Sequence, residues 1–188
     1  SGPVGVADQQ DWLNGVTMAV EEINAAGGVN GRMLETRVVD IDLLTPEGTV
    51  AAYQSLVEQG VHALAQSFAI IPQPAMDVAA VTGTPYLNGN TSQTLDLIKS
   101  DPAKYRNTFH IDVAETWYGA GLIRYLKDAK AGGWTPKNNR VHIVQEQIGY
   151  TQVISKATQD AIAASGGEWE LGAVTDIQFP VQDWSPII

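Results

Sequence analysis

Three polar segments of the chain, each predicted to follow a β-strand, contain the residues best suited to bind a small molecule. They are residues 66–72, 88–92 and 145–150. The second of these segments is rich in small polar groups. In open parallel sheets, ligands bind beyond the carboxyl ends of the strands, where helix N-termini add free N–H groups and partial positive charge. The pattern therefore predicts a ligand-binding site at the carboxyl end of a sheet.

These segments also have a purely structural interpretation, which the sequence leaves open. Residues 66–72 could form a loop that packs Phe68 and Ile70 into the core, and small polar residues such as those at 88–92 are common in turns. Glu115 could lie at the surface, at the start of a helix, or could face a binding cleft. For the first segment, its position after a predicted strand favours ligand binding.

The chain has no recognisable arrangement of catalytic or metal-binding residues. It contains no cysteine, which excludes thiolate ligands and cysteine nucleophiles. His62, His110 and His142 lie in predicted strands without a partner at metal-ligand spacing, so they are predicted to be satisfied sheet residues. The glycines within 27–31 follow a helix, whereas phosphate-binding glycine loops follow a strand. We therefore predict a protein that is not an enzyme and uses no cofactor or metal; an α/β enzyme is the least favoured alternative.

The composition argues against nucleic-acid and membrane-surface partners. The 188 residues carry a formal net charge of −10, with a pI near 4.5 and 44% hydrophobic residues. A negative charge of this size gives phosphate backbones and anionic lipids no attraction. No apolar run approaches the ~20 residues of a membrane-spanning helix. We expect a chain with a packed core, no nucleic-acid partner and no direct membrane insertion.

Strands alternate with helices along the chain. Apolar residues recur at helical spacing over residues 12–23. Thr45, Pro46 and Glu47 suit an N-cap and a first helical turn, and Gly60 suits the end of that helix. The alternation predicts right-handed βαβ units, and hence an α/β fold of parallel sheets with helices on both faces. The other predicted elements are strands at 36–41, 61–65, 85–87, 108–111, 140–145 and 169–174, and helices at 74–81, 93–99, 115–130 and 151–164.

One stretch of the sequence resembles a known family. Residues 19–32 read AVEEINAAGGVNGR, which is the end of an acidic amphipathic helix followed by glycines suited to a C-cap and a tight turn. The string closely resembles the first helix and turn of the type I periplasmic solute-binding proteins. The best-known members of that family bind leucine, isoleucine and valine for ABC transporters. The resemblance implies two doubly wound parallel-sheet lobes.

The resemblance also implies how the chain divides. Residues 1–112 correspond to a first ligand-binding lobe that lacks its first strand, and residues 113–188 to the opening half of a second, incomplete lobe. Residues 183–186 read as the start of a further helix. We expect the native chain, or a segment outside this sequence, to supply the absent central strand, because its neighbours' backbone groups would otherwise stay unpaired in a buried gap.

A function follows from the same resemblance. Proteins of this family close two lobes around a small solute by a hinge motion. The resemblance implies a periplasmic or extracytoplasmic protein with a signal peptide or a lipid anchor upstream, which delivers an amino acid or related carboxylate to a membrane ABC permease. Residues 68–71 contain fewer hydroxyls than is common in the family, which favours an aromatic or aliphatic acid. A ligand-sensing regulatory or receptor module of the same fold is the alternative.

Carried onto this chain residue by residue, the resemblance indicates which groups meet the ligand. Ser67 and Thr91 would donate hydroxyl hydrogen bonds, with Ala69 and either Gly89 or Asn90 as backbone partners. In the third segment, Ile148 takes the place of the family's usual aromatic residue, and Tyr150 follows. The complete set of predicted ligand-binding residues is Ser67, Phe68, Ala69, Gly89, Asn90, Thr91, Glu115, Trp117, Ile148 and Tyr150.

Overall fold

A computed structural model of the chain describes residues 9–89, 91–178, 181 and 184–185. Its backbone contacts divide the chain into two compact units, residues 1–112 and 113–188. Each unit contains its own parallel sheet. That these units are the two ligand-binding lobes stays a prediction.

The first unit is a parallel sheet whose strands are joined by helices. Its elements are α1 (Gln10–Ala25), α2 (Pro46–Glu58), β1 (Leu64–Gln66), α3 (Pro72–Thr82), β2 (Tyr86–Asn88), α4 (Ser92–Ser100) and β3 (Thr108–His110). The strand order is β1-β2-β3, and Leu64, Tyr86 and Thr108 lie side by side in the register. Parallel neighbours joined through a helix are βαβ units, as the alternating pattern predicted.

The core of the first unit lies between one face of this sheet and helices α2 and α3. Leu64 and Tyr86 are almost fully buried, and the residues next to them in each strand are more exposed, because successive strand side chains point to opposite faces. Small residues of α3 let that helix approach the sheet closely. The buried cluster comprises Tyr53, Leu64, Ala75, Met76, Val78, Ala79, Tyr86 and Tyr105.

Helix α2 begins where the sequence predicted. The Thr45 hydroxyl accepts a hydrogen bond from the Gly48 N–H at 3.1 Å, as expected of an N-cap. The same hydroxyl donates to Asp42 Oδ2 at 3.0 Å, and Asp42 Oδ1 accepts from the Leu44 N–H at 3.0 Å. Asp42 therefore orients the cap of α2.

The strand predicted at residues 36–41 is not present. These residues belong to no strand and form no ladder with β1, β2 or β3. A β-strand is defined by hydrogen bonds to a neighbour, and alternating apolar residues only make a segment suited to such pairing. The prediction was wrong because no partner for this segment occurs among the described strands.

The second unit is a two-stranded parallel sheet with two helices. Its elements are a short 3₁₀ turn (Glu115–Trp117), α5 (Tyr118–Ala131), β4 (Arg140–Glu146), α6 (Gly149–Ala163) and β5 (Glu170–Ile177). Strands β4 and β5 pair in parallel, with an irregular register between Val141 and His142. Helices α5 and α6 pack so closely that a Cβ atom added to Gly119 would lie 2.1 Å from the Ala157 carbonyl oxygen. The helix start predicted at residues 183–186 falls largely outside the described residues.

Candidate functional site

The first two predicted binding segments meet at the carboxyl ends of β1 and β2. Strand β1 ends at Gln66, strand β2 ends at Asn88, and these two residues are partners in the sheet register. Just beyond them, the Gly89 N–H donates to the Gln66 carbonyl oxygen at 3.1 Å. A Cβ atom on Gly89 would lie 2.5 Å from the Ser67 carbonyl oxygen, so only glycine allows the two loops to approach this closely. The structure thus brings Ser67 and Gly89 together.

In the first loop, the three predicted residues differ in exposure. Ser67 and Phe68 are half-buried, whereas Ala69 is buried at 3% exposure. Ile70 is also half-buried. The loop therefore buries Ala69 and partly buries Phe68 and Ile70, as the structural interpretation expected, and Ser67 also stays partly exposed.

Gln9, which the sequence did not single out, contacts this first loop. The Ser67 hydroxyl donates to Gln9 Oε1 at 3.0 Å, and Gln9 Nε2 donates to the Phe68 carbonyl oxygen at 3.4 Å. Gln9 immediately precedes α1 and lies 58 residues from Ser67 in the chain. No local sequence signal indicates a contact over that separation.

The second loop leads into the N-terminus of α4. Thr91 is buried at 4% exposure and occupies the N-cap position, yet its side chain makes no capping hydrogen bond to the helix. Asn90 lies outside the described residues. The N-terminal turn of α4 contains no proline, so each of its residues carries an N–H group, and that of Thr94 donates to the Thr91 carbonyl oxygen at 3.3 Å. The helix dipole adds partial positive charge at this end.

The N-terminus of α3 is less suited to an anion. Pro72 and Pro74 occupy its first turn and carry no N–H group. Two of the donors that a helix normally presents at this end are therefore missing. Of the two helices that follow the candidate loops, α4 is the better partner for a carboxylate.

A network of buried polar side chains supports both loops from beneath. The Tyr53 hydroxyl donates to Gln66 Oε1 at 2.5 Å and lies 3.0 Å from the Tyr86 hydroxyl. Asn88 Nδ2 donates to the Tyr86 hydroxyl at 2.7 Å, and the Thr94 hydroxyl donates to Asn88 Oδ1 at 3.0 Å. The chain of bonds links α2, β1, β2 and α4, so it holds the ends of both strands against the helices.

Burial keeps the two tyrosines of this network protonated. Loss of solvent raises the pKa of Tyr86 to about 12. It also raises the pKa of Tyr53 well above the ordinary value, and the neighbouring Tyr86 adds to that rise. Both hydroxyls therefore stay neutral at any physiological pH.

These pKa values predict a loss of stability in alkali. In the unfolded chain a tyrosine ionises near pH 10, so the stability tied to neutral Tyr86 is complete below about pH 10 and is lost as the pH rises toward 12. The loss from Tyr86 should reach about 3 kcal/mol only above pH 12, and about half of that at pH 11. Urea unfolding at pH 8, 10 and 11 measures it, with Tyr125→Phe as a control because Tyr125 is exposed. A Tyr86→Phe variant that retained the full alkaline loss would contradict this assignment.

The prediction that the three histidines are satisfied sheet residues holds only in part. His142 Nε2 lies 2.7 Å from the Thr175 hydroxyl. His62 is exposed and precedes β1 instead of lying within it. Both ring nitrogens of His110 are buried without a hydrogen-bond partner among the described residues, as are Gln66 Nε2 and the Thr108 hydroxyl. His110 lies in β3 as predicted, but the expectation that its ring is satisfied is not met among the described residues.

The remaining predicted binding residues belong to the second unit. Glu115 is buried at 2% exposure at the start of the 3₁₀ turn, so its predicted alternative as a surface residue is wrong. Trp117 in the same turn is 68% exposed. Ile148 occupies the N-cap position of α6, and Tyr150 lies half-buried in the first turn of that helix. The 3₁₀ turn packs against α6, so this unit brings the two segments into one region.

Other features of the described residues do not coincide with the candidate loops. A groove of about 860 Å³ runs between α2 and α3, and of the segment 66–72 it includes only Ile71. Among the described residues, no three His, Asp or Glu side chains lie together as metal ligands would. No described helix has the length and apolar character to cross a membrane.

Comparison with known protein families identifies the family of this chain. A family model described as periplasmic binding protein matches residues 1–188. No protein of curated function matches the chain significantly. A solved structure from Silicibacter pomeroyi, provisionally described as a branched-chain amino acid ABC transporter, is 29% identical with a TM-score of 0.82, covering 100% of this chain and 47% of that one.

Two further solved structures share the fold at lower identity. One, from Rhodospirillum rubrum and with the same provisional description, is 15% identical with a TM-score of 0.54, over 91% of this chain and 46% of that one. The other is an extracellular ligand-binding receptor from Verminephrobacter eiseniae ef01-2. It is 13% identical with a TM-score of 0.55, over 93% of this chain and 47% of that one. The chain therefore spans about half the length of these structures. The likeness confirms the predicted α/β fold class.

Proposed function

Because this chain belongs to the periplasmic binding protein family, we propose that it forms the ligand-binding region of a periplasmic protein that captures a small organic solute for an ABC importer. The observation that carries the proposal is the junction of two polar loops at the carboxyl ends of β1 and β2, where Gly89 packs against Ser67. Ligands of open parallel sheets bind at such strand ends. A membrane permease is then the partner that receives the solute.

The proposed ligand is an amino acid or a related carboxylate. The N-terminus of α4 suits a carboxylate, because its first turn contains no proline and the helix dipole places partial positive charge beside Thr91, whose hydroxyl does not cap the helix. We place the Ala69 N–H near the same carboxylate. The apolar side chains of Phe68 and Ile70 favour a ligand with an aromatic or aliphatic body over a small polar one.

Closure of the second unit over the ligand completes the proposed mechanism. Two lobes that move about a hinge bury a solute more fully than one surface can. We assign Trp117, Ile148 and Tyr150 to the apolar part of the ligand. By the resemblance to amino-acid binders, we assign Glu115 to an ammonium group of the ligand.

Calorimetric titration of the full-length protein tests this proposal. The probes are L-leucine, L-phenylalanine and their counterparts without the amino group, 4-methylpentanoate and 3-phenylpropanoate. We expect stoichiometric binding of at least one of them, with no chemical change in the recovered ligand. Thr91→Ala should weaken that binding about tenfold, because a hydrogen bond to a charged group is lost.

A matched control separates the site from the fold. Thr135 is an exposed residue of the second unit, so Thr135→Ala should leave the affinity unchanged. Absence of binding for all four probes, or turnover of any of them, would refute the proposed function.

A further inference from the structure

The hydrogen bonds of Gln9 determine what the Ser67 hydroxyl can offer to a ligand. Gln9 Nε2 lies 3.4 Å from the Phe68 carbonyl oxygen, and Gln9 Oε1 lies 3.0 Å from the Ser67 hydroxyl oxygen. A carbonyl oxygen only accepts hydrogen bonds, so the group of the Gln9 amide that faces Phe68 has to be the NH₂. The amide oxygen is therefore the atom that faces Ser67.

This orientation leaves Ser67 with no proton for a ligand. A serine hydroxyl has one O–H to donate and two lone pairs with which to accept. Since the amide oxygen of Gln9 cannot donate, the Ser67 proton is committed to it. The free lone pairs of Ser67 can then only accept a hydrogen bond. The resemblance to known binders had implied the opposite role, in which Ser67 donates to a carboxylate.

We infer that Ser67 accepts a hydrogen bond from an N–H or O–H group of the ligand, and that Gln9 is a positioning residue that sets this role. The inference rests on the proposed function. This role makes Ser67 a determinant of specificity. A ligand with an ammonium or hydroxyl group can donate a hydrogen bond to the Ser67 oxygen. A ligand that offers only a carboxylate at this position places an acceptor opposite another acceptor. The second hydrogen bond of Gln9, to the Phe68 carbonyl oxygen, helps to hold the loop in the conformation in which the Ser67 hydroxyl faces Gln9.

The test compares amino acids with the same molecules lacking the amino group. In the full-length protein, the selectivity ratio is the Kd of 4-methylpentanoate divided by that of L-leucine, or the Kd of 3-phenylpropanoate divided by that of L-phenylalanine. Ser67→Ala should lower this ratio about tenfold, mostly through weaker binding of the amino acid. Gln9→Leu should also lower it, because the freed Ser67 proton can turn toward a carboxylate.

A conservative variant and a neighbouring one complete the design. Gln9→Glu keeps an acceptor for the Ser67 proton but loses the donor to Phe68, and its negative charge also favours an ammonium group. The selectivity ratio should therefore stay the same or rise, in contrast to its fall in Gln9→Leu. Gln10→Leu, at the adjacent exposed position, should leave both Kd values unchanged. If Gln9→Leu does not fold, Ser67→Ala carries the test alone, since serine to alanine adds no atoms.

The outcomes separate this inference from the proposed function. A protein that binds none of the four probes refutes the proposed function and this role with it. Binding in which Ser67→Ala weakens amino acid and deaminated acid equally leaves the proposed function intact and overturns the acceptor role. Equal weakening is the result expected if Ser67 donates to the carboxylate that both probes share. Weakening confined to the deaminated acid would also overturn the acceptor role.

Discussion

Replacing Gly119 by alanine should destabilise the second unit by about 1–3 kcal/mol, the usual cost of an overpacked site. The added Cβ atom would lie 2.1 Å from the Ala157 carbonyl oxygen and 2.7 Å from the Thr158 nitrogen. Both are backbone atoms of α6, so no flexible side chain can move aside, and α5 and α6 have to separate. Urea or thermal unfolding followed by far-UV circular dichroism measures the loss.

A second glycine of the same helix provides the control. Gly121 also belongs to α5, but a Cβ atom there would meet nothing within 4 Å. Gly121→Ala should therefore stabilise the protein by up to about 1 kcal/mol, because alanine favours the helix. If Gly119→Ala and Gly121→Ala changed the stability equally, the conclusion that α5 and α6 leave no room for a side chain at Gly119 would be wrong.

Replacing Gly89 by alanine should separate the two candidate binding loops. Its Cβ atom would lie 2.5 Å from the Ser67 carbonyl oxygen and 3.3 Å from Asp112 Cβ. Relief of this clash requires a shift of the backbone, which should cost about 1–3 kcal/mol. The shift also moves Ser67 relative to the start of α4, so the ligand affinity should fall. The fall should be larger than in a variant that is equally destabilised at a site away from these loops. Parallel unfolding and calorimetric experiments measure both effects.

The control for this variant is a helical glycine of the first unit with open space around it. Gly15 in α1 has nothing within 4 Å of an added Cβ atom, so Gly15→Ala should not lower stability or affinity. If the Gly89→Ala variant lost stability but bound the ligand with normal affinity, the binding site would lie away from these two loops.

The helices of the first unit were predictable because their signals are local. Thr45 and Gly60 mark the ends of α2 by side-chain capping and by a positive φ, and both depend only on neighbouring residues. The segment 36–41 shows the opposite case, since its apolar alternation suits a strand but the pairing depends on a distant partner. Elements that need such a partner are not determined by their own residues.

The sequence allowed the position of the two candidate loops to be predicted, but not the residues that hold them; that these loops bind a ligand stays a prediction. The polar segments follow strands, so their position at the carboxyl ends of β1 and β2 was predictable. Gln9 and Tyr53 reach these loops from other elements over long sequence separations. The burial of Glu115 likewise depends on what packs around the 3₁₀ turn, whereas its charge alone suggested the surface.

A crystal structure of the full-length protein with a bound amino acid tests the central claim most directly. The claim is that the loops after β1 and β2 hold a small solute. We predict electron density for the ligand carboxylate at the N-terminus of α4, within hydrogen-bond distance of Thr91, and a donor group of the ligand at the Ser67 hydroxyl. A ligand bound in the groove between α2 and α3, with residues 66–72 and 88–92 empty of contacts, would contradict it.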